Sequence, residues 1–407
     1  MKISSGVLKG RRPFMSRVYM SFTNLAQSPE KLYLDLQISN VNNLDNLPAI
    51  LSFTETRTTP ILINPQDYYM SVVRFSLDTP SLPIITPTIQ YNQPDRNLSI
   101  YSITLSWKNP VAPNQTFTQQ TYLQYLPQDL ISPLPVPPSM TPTKIQDNST
   151  GYYYIYSYQY WIYLINKTFT TCYTNLNAQV VAAGLVLPTT HAPVLSYDTQ
   201  TNIAILNCDL AGYNDTIVNH INIFFNFPLY QLFSSFPFYL TSQTSTTGSN
   251  VQLQTNTFGN ANTIQFPSTT PTYTAIQVFQ EYSTVSLWSP VSSIVFCSST
   301  LPIIPTQVAS PILILNGNVV GANGNNANQA PVITDFIADG LYKPTLLYEP
   351  SAQYSLVSMT GNRPVYTVDI NVYWKDITAN LIPFRLTAGS GATIKILFTK
   401  KNSSNYK

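Results

Sequence analysis

The sequence predicts a mainly β protein: a β-sandwich with an inserted second domain or large insertions and one short helix. The first observation is composition. The 407 residues include 28 Tyr, 19 Phe and 32 Pro, and aromatic residues favour strands whereas proline ends them. The second is the alternation of apolar and polar residues over short runs, which is typical of half-buried strands. The third is that strands and helices do not alternate along the chain, which argues against a parallel α/β fold.

Charged residues are scarce in this chain, and their scarcity limits the classes of protein it can belong to. The 20 Lys and Arg and the 18 Asp and Glu make up 9% of the residues, against about 25% in ordinary soluble domains. Because 44% of the residues are hydrophobic, the chain is not expected to be disordered. Asn, Gln, Ser and Thr replace the missing charges. A polar surface that repels itself weakly is suited to close packing in an assembly.

The sequence shows no sign of a membrane segment, a secretion signal or a disulfide framework. No run of about 20 apolar residues occurs, so no membrane-spanning segment is predicted. The basic N-terminal stretch lacks the apolar core of a secretory signal. Cys172, Cys208 and Cys297 are odd in number and have no paired spacing, which predicts buried, reduced thiols.

The chain begins with a basic stretch that has no strong periodicity. Residues 1–29 are predicted to form an N-terminal arm. Its five cations, all without a neighbouring acid, are Lys2, Lys9, Arg11, Arg12 and Arg17. Such an arm can contact nucleic acid or an acidic partner, or it can be a solvated tail. Strands are then predicted at residues 32–39, 49–54, 69–77, 100–107 and 116–126. The odd-numbered residues from 69 to 77 are expected to share one face.

The middle of the chain starts with the clearest boundary signal. Residues 132–142 are rich in proline and are predicted to form an extended connector. Aromatic and aliphatic residues beyond it fall at helical spacing, which predicts one helix over residues 153–170. The aromatic segment 227–237 is expected to be a tight turn or one short helical turn. Further strands are expected at residues 203–206, 221–227, 251–255, 272–279 and 292–297.

The last part of the chain again has strand patterns. The Asn- and Gly-rich segment 316–330 is predicted to be a flexible loop, and a turn at residues 389–391 is predicted to close a hairpin. The last predicted strands are residues 354–359, 365–374 and 393–398. The predicted organisation is a basic arm at 1–29, the first part of the sandwich at 30–130, an insertion at 131–254 and the second part at 255–407.

No set of residues points to catalysis. The two histidines lack the neighbouring ligands that a zinc site needs. The remaining hydrolase candidates are a Cys–His pair and two carboxylate pairs, namely Cys208 with His220, Asp335 with Asp339, and Asp369 with Asp376. Among 18 acids such proximity is expected by chance. The sequence therefore predicts that the protein is not an enzyme and uses no cofactor or metal.

Residues 152–163 form the densest aromatic segment of the chain. Within it, Tyr154, Tyr158 and Trp161 are predicted to serve as interface aromatics between subunits or as core residues, because large rings bury much area. The alternative function for exposed rings is sugar stacking. In that case the protein would be a receptor- or glycan-binding β-sandwich attachment protein.

Several segments, in order along nearly the whole chain, resemble one known family. They are KLYLDLQISN at 31–40, PILINPQDYYMSVVRFSLDT at 60–79, IFFNFPLYQLFSSFP at 223–237, WSPVSSIVF at 288–296, VDINVYWKD at 368–376 and IKILF at 394–398. Together they are similar to the minor capsid (penton) proteins of virophages and Polinton-like viruses. That family has no catalytic motif that could be transferred to this chain.

The resemblance implies that the sandwich is a jelly roll and that five copies form the capsomer at the five-fold vertices of an icosahedral capsid. The protein would contact itself, as a pentamer, and the hexon-like major capsid protein. It would be located in the virion after assembly in the host cytoplasm or a viral factory. The basic arm from Lys2 to Arg17 would point inward, towards genomic DNA or the underside of neighbouring capsomers.

Overall fold

The computed structural model describes most of the chain between residues 29 and 401. The described residues are 29–40, 49–90, 93–128, 137–138, 146, 148, 150–245, 248–256, 261–266, 273–304, 312–315, 318–320, 331–338, 343–349, 356–377 and 380–401. The predicted basic arm before residue 29 lies outside them, as does most of the proline-rich connector.

Strands dominate the described residues, with three helices. The strands are β1 (Lys31–Ser39), β2 (Ala49–Ile50), β3 (Ser52–Thr56), β4 (Tyr68–Asp78), β5 (Leu98–Lys108), β6 (Thr116–Gln124), β7 (Val194–Asp198), β8 (Ile203–Asp209), β9 (Ile221–Asn226), β10 (Phe238–Ser245), β11 (Gly248–Leu253), β12 (Ala261–Phe266), β13 (Tyr273–Phe279), β14 (Val291–Cys297), β15 (Ile312–Leu315), β16 (Asn318–Val320), β17 (Val332–Ile337), β18 (Thr345–Tyr348), β19 (Val357–Ser358), β20 (Thr367–Asp376), β21 (Asn380–Pro383), β22 (Arg385–Leu386) and β23 (Gly391–Lys400). The helices are α1 (Tyr158–Ala182), α2 (Leu210–Tyr213) and α3 (Phe227–Leu232).

Eight of these strands form a jelly roll of two facing sheets. One sheet has the order β1-β23-β4-β18, and the other contains β3, β20, β14 and β17 in that order. Along the chain these strands follow the two-Greek-key connectivity of a jelly roll: β14 and β17 are consecutive in one sheet, and each of the other connections crosses between the sheets. All of these pairings are antiparallel, and among the strands that the structure describes only the added β15–β21 pairing is parallel. The predicted fold class is confirmed.

The jelly-roll core lies between the two sheets, where alternate residues of each strand meet. Val368, Ile370, Val372 and Trp374 of β20 all point into it, as their alternation in the sequence predicts. Phe75 of β4 meets Phe296 of β14 edge to face, with ring centroids 4.6 Å apart. These aromatic and aliphatic contacts join the two sheets.

A β-bulge in β4 changes which of its residues are buried. The pairing with β23 shifts by one residue at Val73, which has no partner of its own there. Met70 and Val72 face the core before the bulge, and Phe75 and Leu77 face it after the bulge. The prediction that the odd-numbered residues share one face is therefore wrong for the first half of the strand. A one-residue slip moves every preceding side chain to the other face.

The polypeptide between β4 and β14, residues 79–290, forms a second unit, which we call the inserted unit. It contains two sheets, β10-β11-β9-β5-β6 and β12-β13-β8-β7, and α1 packs against β5, β6 and β7. Its hydrophobic core is distinct from that of the jelly roll. The predicted boundaries at 131 and 254 are therefore corrected. The reason is that β5, β6, β12 and β13 have ordinary strand patterns, which do not reveal their partners.

The principal helix is longer and begins later than predicted. Residues 153–157 are not helical, and Ile155 forms a bridge with Ile85. The buried face of α1 instead continues past residue 170 through Cys172, Leu176 and Val180. The Thr and Asn residues between these positions make the apolar stripe difficult to recognise in the sequence. The aromatic segment from residue 227 does form a short helical turn, α3, which the Asn226 side chain caps by accepting the Leu229 N–H.

Two further predictions concern the last part of the chain. Residues Asn318–Val320, inside the predicted loop 316–330, form β16 and pair with β15, whereas the rest of that loop lies outside the described residues. Gly389 has a φ of 83° and occupies the predicted turn. The predicted hairpin is nevertheless wrong, because β22 pairs with β2, and β23 pairs with β1 and β4. Within the described residues, no helix is long and apolar enough to span a membrane.

Candidate assembly surfaces

Asp369, one of the predicted hydrolase carboxylates, is a structural anion. It lies on β20 opposite the turn that follows β14. Its oxygens accept hydrogen bonds from the hydroxyls of Ser298 (2.6 Å), Ser299 (2.5 Å) and Thr300 (2.6 Å). The backbone N–H groups of Ser299 and Thr300 donate to it as well, each at 2.9 Å. The carboxylate therefore holds the turn after β14 against β20 through these hydrogen bonds.

The hydrogen bonds to Asp369 keep its carboxyl group ionised. Burial by itself raises the pKa of this carboxyl, but the donors from Ser298, Ser299 and Thr300 outweigh burial and hold the pKa well below its ordinary value. A carboxyl that stays ionised at neutral pH cannot act as a general acid there. Asp376 is also used locally, because the backbone N–H and side-chain amide of Asn380 donate to it, each at 2.8 Å.

The cysteines and histidines are not arranged as a nucleophile and base. All three cysteines are free and buried, which confirms the prediction of buried, reduced thiols. Burial raises the pKa of the Cys172 thiol to about 11 and of the Cys297 thiol to about 12, and it also raises the pKa of Cys208. The His220 ring hydrogen-bonds the Ile217 carbonyl and the Asn222 side chain. In the described part of the chain, no group of three His, Cys, Asp or Glu is placed to hold a metal ion.

The three predicted interface aromatics are used inside the chain. Trp161 is 0% exposed and meets the Tyr101 ring at 5.7 Å in the inserted unit. Tyr158 is half-buried, and its ring lies 5.0 Å from that of Tyr197. Tyr154 is 8% exposed. Of the two predicted roles, Trp161 and Tyr154 therefore have that of core residues, because a side chain enclosed by its own chain cannot reach a neighbour.

Tyr154 instead marks the place where the two units meet. Tyr153 and Ile155 on either side of it belong to the core of the inserted unit. Tyr154 packs in the jelly-roll core, and its ring centroid lies 5.8 Å from that of Trp374. A cavity of about 500 Å³ lies beside this junction, lined by Tyr101 and Trp288 of the inserted unit and by Ile377 just after β20, among others.

One flank of the jelly roll exposes apolar residues on two terminal strands. This β17–β18 flank consists of Val332–Ile337 and Thr345–Tyr348, which are the last described strands of their two sheets. Phe336 and Tyr348 stack across it with ring centroids 4.9 Å apart. Ile337 is 85% exposed and Leu347 is 63% exposed. Edge strands with exposed aliphatic residues are suited to pairing or packing with another chain.

The opposite flank has a different chemistry. This β1–β3 flank consists of Lys31–Ser39 and Ser52–Thr56, which contact each other across the sandwich. Tyr33 is 46% exposed, and the Lys395 ammonium lies over its ring at 5.2 Å from the centroid. Arg74 forms an ion pair with Asp35 on the same face, with nitrogen and oxygen 3.6 Å apart. The β17–β18 flank therefore exposes aliphatic residues, whereas the β1–β3 flank exposes a tyrosine ring and charged groups.

Sequence reasoning did not find these flanks. The strand patterns of β17 and β18 are short, and nothing local marks a strand as the edge of its sheet. The exposure of Ile337 and Leu347 is a property of the fold, so no local sequence signal for it was available. The five predicted arm cations, Lys2, Lys9, Arg11, Arg12 and Arg17, lie outside the described residues.

Comparisons with known proteins all find similarity to capsid proteins of virophages. The family model of the Sputnik minor capsid protein V18/19 matches residues 32–400. The chain is 31% identical to the structural protein V19 of Sputnik virophage over 223 residues, which is 52% of this chain and 95% of V19. It is 35% identical to the uncharacterized protein V18 of Sputnik virophage over 159 residues, which is 38% of this chain and 90% of V18.

Two solved structures are similar over almost the whole fold. A chain in the 3.5 Å cryo-EM structure of the Sputnik virophage superposes with a TM-score of 0.75 and 28% identity, covering 93% of this chain and 100% of that one. The mavirus penton protein superposes with a TM-score of 0.57 and 15% identity, covering 92% of this chain and 100% of that one. At 15% identity, the similarity to the mavirus penton protein is a similarity of fold.

Proposed function

Because the chain belongs to the Sputnik minor capsid protein V18/19 family, we propose that five copies form the penton at the five-fold vertices of an icosahedral capsid. Family membership places the protein in the virion as a structural component. A non-enzymatic role is consistent with the way Asp369 and the cysteines are used within the fold. The pentameric state and the vertex position are the parts that we propose.

The two dissimilar flanks of the jelly roll are the observation that carries this proposal. A closed ring of five requires heterologous contacts, in which one flank of a subunit docks on a different flank of the next. The aliphatic β17–β18 flank and the β1–β3 flank around Tyr33 lie on opposite sides of the same sandwich. We assign the subunit contact to this pair of flanks. Aromatic and aliphatic side chains that leave water together provide its main stabilisation.

The low charge of the chain supports the same assignment. Burying an ionised side chain at an interface costs free energy unless it is paired. On the β17–β18 flank the two exposed large hydrophobic residues, Ile337 and Leu347, carry no charge. On the β1–β3 flank, Asp35 is paired with Arg74. We also propose that the assembled ring contacts the major capsid protein, because a vertex capsomer must join the shell around it.

The first test is the mass of the purified protein in solution, measured by light scattering. A pentamer would have five times the chain mass of 45.5 kDa. If the protein alone is monomeric, the test is repeated after co-expression with the major capsid protein, and the recovered particles are examined for vertex density. Particles whose vertices lack this protein would contradict the proposal.

Replacing two exposed residues tests the flank assignment. Ile337→Glu with Leu347→Glu puts two negative charges on the β17–β18 flank without touching the core, so we expect a folded protein that no longer forms pentamers. The matched control is Val111→Glu with Val218→Glu, which alters two equally exposed aliphatic residues of the inserted unit. The control is expected to remain pentameric. Equal loss of assembly in both variants would contradict the assignment.

A further inference from the structure

Three loops meet at one end of the inserted unit, which we call the tip. They comprise residues 109–115 between β5 and β6, 181–187 at the end of α1, and 214–220 before β9. The Trp107 indole N–H donates to the Asn219 carbonyl at 3.0 Å, and Trp107 lies opposite Ile221 where β5 pairs with β9. The loop before β6 and the loop before β9 are therefore neighbours at the end of β5.

Helix α1 brings its last turn to the same end. Trp161 meets the ring of Tyr101 in β5, whereas the Cys172 thiol contacts the Ile103 carbonyl further along that strand, at 3.6 Å. The helix therefore advances in the direction of β5. From Cys172 to Ala182 it rises by about a further 15 Å, which equals about four to five strand residues. The end of α1 is thus level with the end of β5.

The tip lies far from the jelly roll. The first half of β5 is beside the jelly roll, because Ile100 and Tyr101 line the cavity that Ile377 also lines. Strand β5 then continues to Lys108, and its 11 residues from Leu98 span about 33 Å at the usual rise of a strand. A partner can therefore reach the tip while neighbouring subunits occupy both flanks of the jelly roll.

Large aliphatic side chains protrude from the tip. Val111 is 84% exposed, Val218 is 83% exposed and Val186 is 81% exposed, so each of the three loops contributes one. Among the large hydrophobic residues that the structure describes, only Ile337 on the β17–β18 flank is more exposed. A side chain that is exposed to this degree stands out from its surroundings. The tip is therefore a convex apolar surface.

The tip carries little charge that is free to face a partner. The single charged residue in its three loops is Asp215, whose carboxylate accepts the Tyr239 hydroxyl at 2.5 Å. Asp209, which precedes α2, is buried and accepts the Ala211 N–H at 3.0 Å. Lys108 at the base of the tip is exposed. The apolar surface thus has an exposed cation beside it, and its acids are engaged within the fold.

The remaining acids of the described inserted unit lie towards the jelly roll. They are Asp95, Asp198 and Glu281. The Asp95 carbonyl accepts the Leu98 N–H at the start of β5. Asp198 follows Tyr197, whose ring lies 5.6 Å from that of Trp288 beside the cavity. The Glu281 N–H donates to the Ser235 carbonyl, next to Ser234 of the cavity wall. Negative charge is therefore kept away from the tip.

We propose that the tip inserts into the surface of a lipid bilayer. A fluid bilayer accepts a convex apolar surface without a matching cavity, whereas a protein partner has to offer one. The three valines leave water at the boundary between headgroups and acyl chains, and Lys108 at their base is attracted to anionic headgroups. In a pentamer five tips lie on the same side of the ring and act together, which rests on the proposed function. The affinity of each copy does not.

The experiment measures flotation of the intact protein with vesicles of phosphatidylcholine, alone or mixed with phosphatidylserine. The tip variant carries Val111→Glu and Val218→Glu. The matched control carries Leu287→Glu and Ile377→Glu, which add the same charge at two exposed aliphatic residues outside the tip. We expect the tip variant to lose about tenfold or more in affinity and the control to stay within about twofold. Light scattering and circular dichroism first establish that both variants keep the wild-type mass and fold.

Lys108→Gln separates the electrostatic from the apolar contribution. Its affinity should fall by about fivefold for the vesicles that contain phosphatidylserine and stay unchanged for phosphatidylcholine alone. Arg96→Gln replaces an exposed cation near the start of β5 and is the control, with no change expected for either kind of vesicle.

A fluorescent label gives a direct readout of insertion. All three native cysteines are buried, so an environment-sensitive fluorophore can be attached selectively to a Val218→Cys variant. Its emission should increase and shift to shorter wavelength when vesicles are added, because the label leaves water. The same label on a Leu287→Cys variant should keep its emission unchanged.

No flotation of the wild-type protein with either kind of vesicle would overturn the inference, as would equal losses in the tip variant and its control. Binding of the major capsid protein that is lost in the tip variant, without vesicle binding, would assign the tip to a protein partner and also overturn it. A pentamer that fails to float contradicts the tip inference alone. A monomeric protein that floats through its tip would contradict the penton proposal alone.

Discussion

Tyrosine explains how a chain with so few charges satisfies its buried backbone. The hydroxyls of several tyrosines donate to main-chain carbonyls of distant loops. Tyr153 bonds the Arg96 carbonyl at 2.8 Å, and Tyr213 bonds that of His191 at 2.9 Å. Each ring buries a large apolar area while its hydroxyl remains paired, which avoids the cost of an unsatisfied polar group. The 28 tyrosines are thus expected in a protein that has few charged residues with which to organise its loops.

At the same scale, Asp369→Asn is expected to destabilise the jelly roll by about 2 kcal/mol at pH 7, because hydrogen bonds to a charged acceptor are lost. The folded pKa of Asp369 lies below its ordinary value of 3.8. Its contribution is therefore fully present above that value and is lost as pH falls through the folded pKa. The difference between wild type and variant in the free energy of unfolding by urea should shrink below about pH 4.

Asp198→Asn is the matched control for this prediction. Asp198 also accepts hydrogen bonds from a turn, from the Thr201 hydroxyl at 2.6 Å and the Gln200 N–H at 3.0 Å, but it is only half-buried and these hydrogen bonds are open to solvent. Water can replace the lost contacts there, so a much smaller change is expected. If the two variants lose equal stability at pH 7, the buried hydrogen-bond cluster around Asp369 is not the cause.

Secondary-structure elements show which local signals are reliable. Strands with clear alternation, such as β1, β9, β14 and β20, occur close to their predicted positions. The strands that were missed, such as β7, β17, β18 and β21, are short or irregular in pattern. The helix α1 was placed too early, because Tyr154 fits the helical spacing of the residues after it, whereas the rings of Tyr152, Tyr153 and Tyr154 pack in two different cores. The spacing of aromatic residues along the sequence does not predict in which core each ring packs.

The end of α1 provides the prediction at the element scale. Gly184 has a φ of 73°, and the Leu185 N–H donates to the Val180 carbonyl at 3.0 Å, which is a Schellman ending. Gly184→Ala should destabilise the protein by about 1 kcal/mol, because alanine is strained at this φ. Nothing lies within 4 Å of the added Cβ, so neither a clash nor a new packing contact changes this value. Gly184→Asn should cost less. Urea unfolding followed by circular dichroism measures both, and an alanine variant as stable as wild type would refute the account.

At the scale of the whole molecule, the protein is a jelly roll in which the connection between β4 and β14 forms a second unit. The jelly roll brings Glu30 and Lys400 together at one end and carries the inserted unit at the other. The two cores meet around Tyr154, where consecutive residues face different units. This arrangement leaves the two flanks of the jelly roll open for neighbours.

Tyr154→Ala tests the coupling between the units. The ring fills the jelly-roll core against Trp374, so its loss should destabilise the protein by about 3 kcal/mol and separate the melting of the two units. Differential scanning calorimetry of the variant should show two transitions or one broadened transition. Tyr282→Ala removes an exposed ring of the inserted unit and is the control. It should melt as wild type does, and a narrow single transition in the Tyr154 variant would contradict the coupling.

The sequence by itself determined the β class, the scarcity of charge, the basic ends and most of the long strands, because composition and alternation are local properties. Only the tertiary structure decided that the insertion runs from residue 79 to 290, that Tyr154 and Trp161 are internal, and that residues 29 and 401 are neighbours. The physical reason is that strand pairing joins segments far apart in the chain. β1 pairs with β23 across more than 350 residues, and neither strand carries a local mark of its partner.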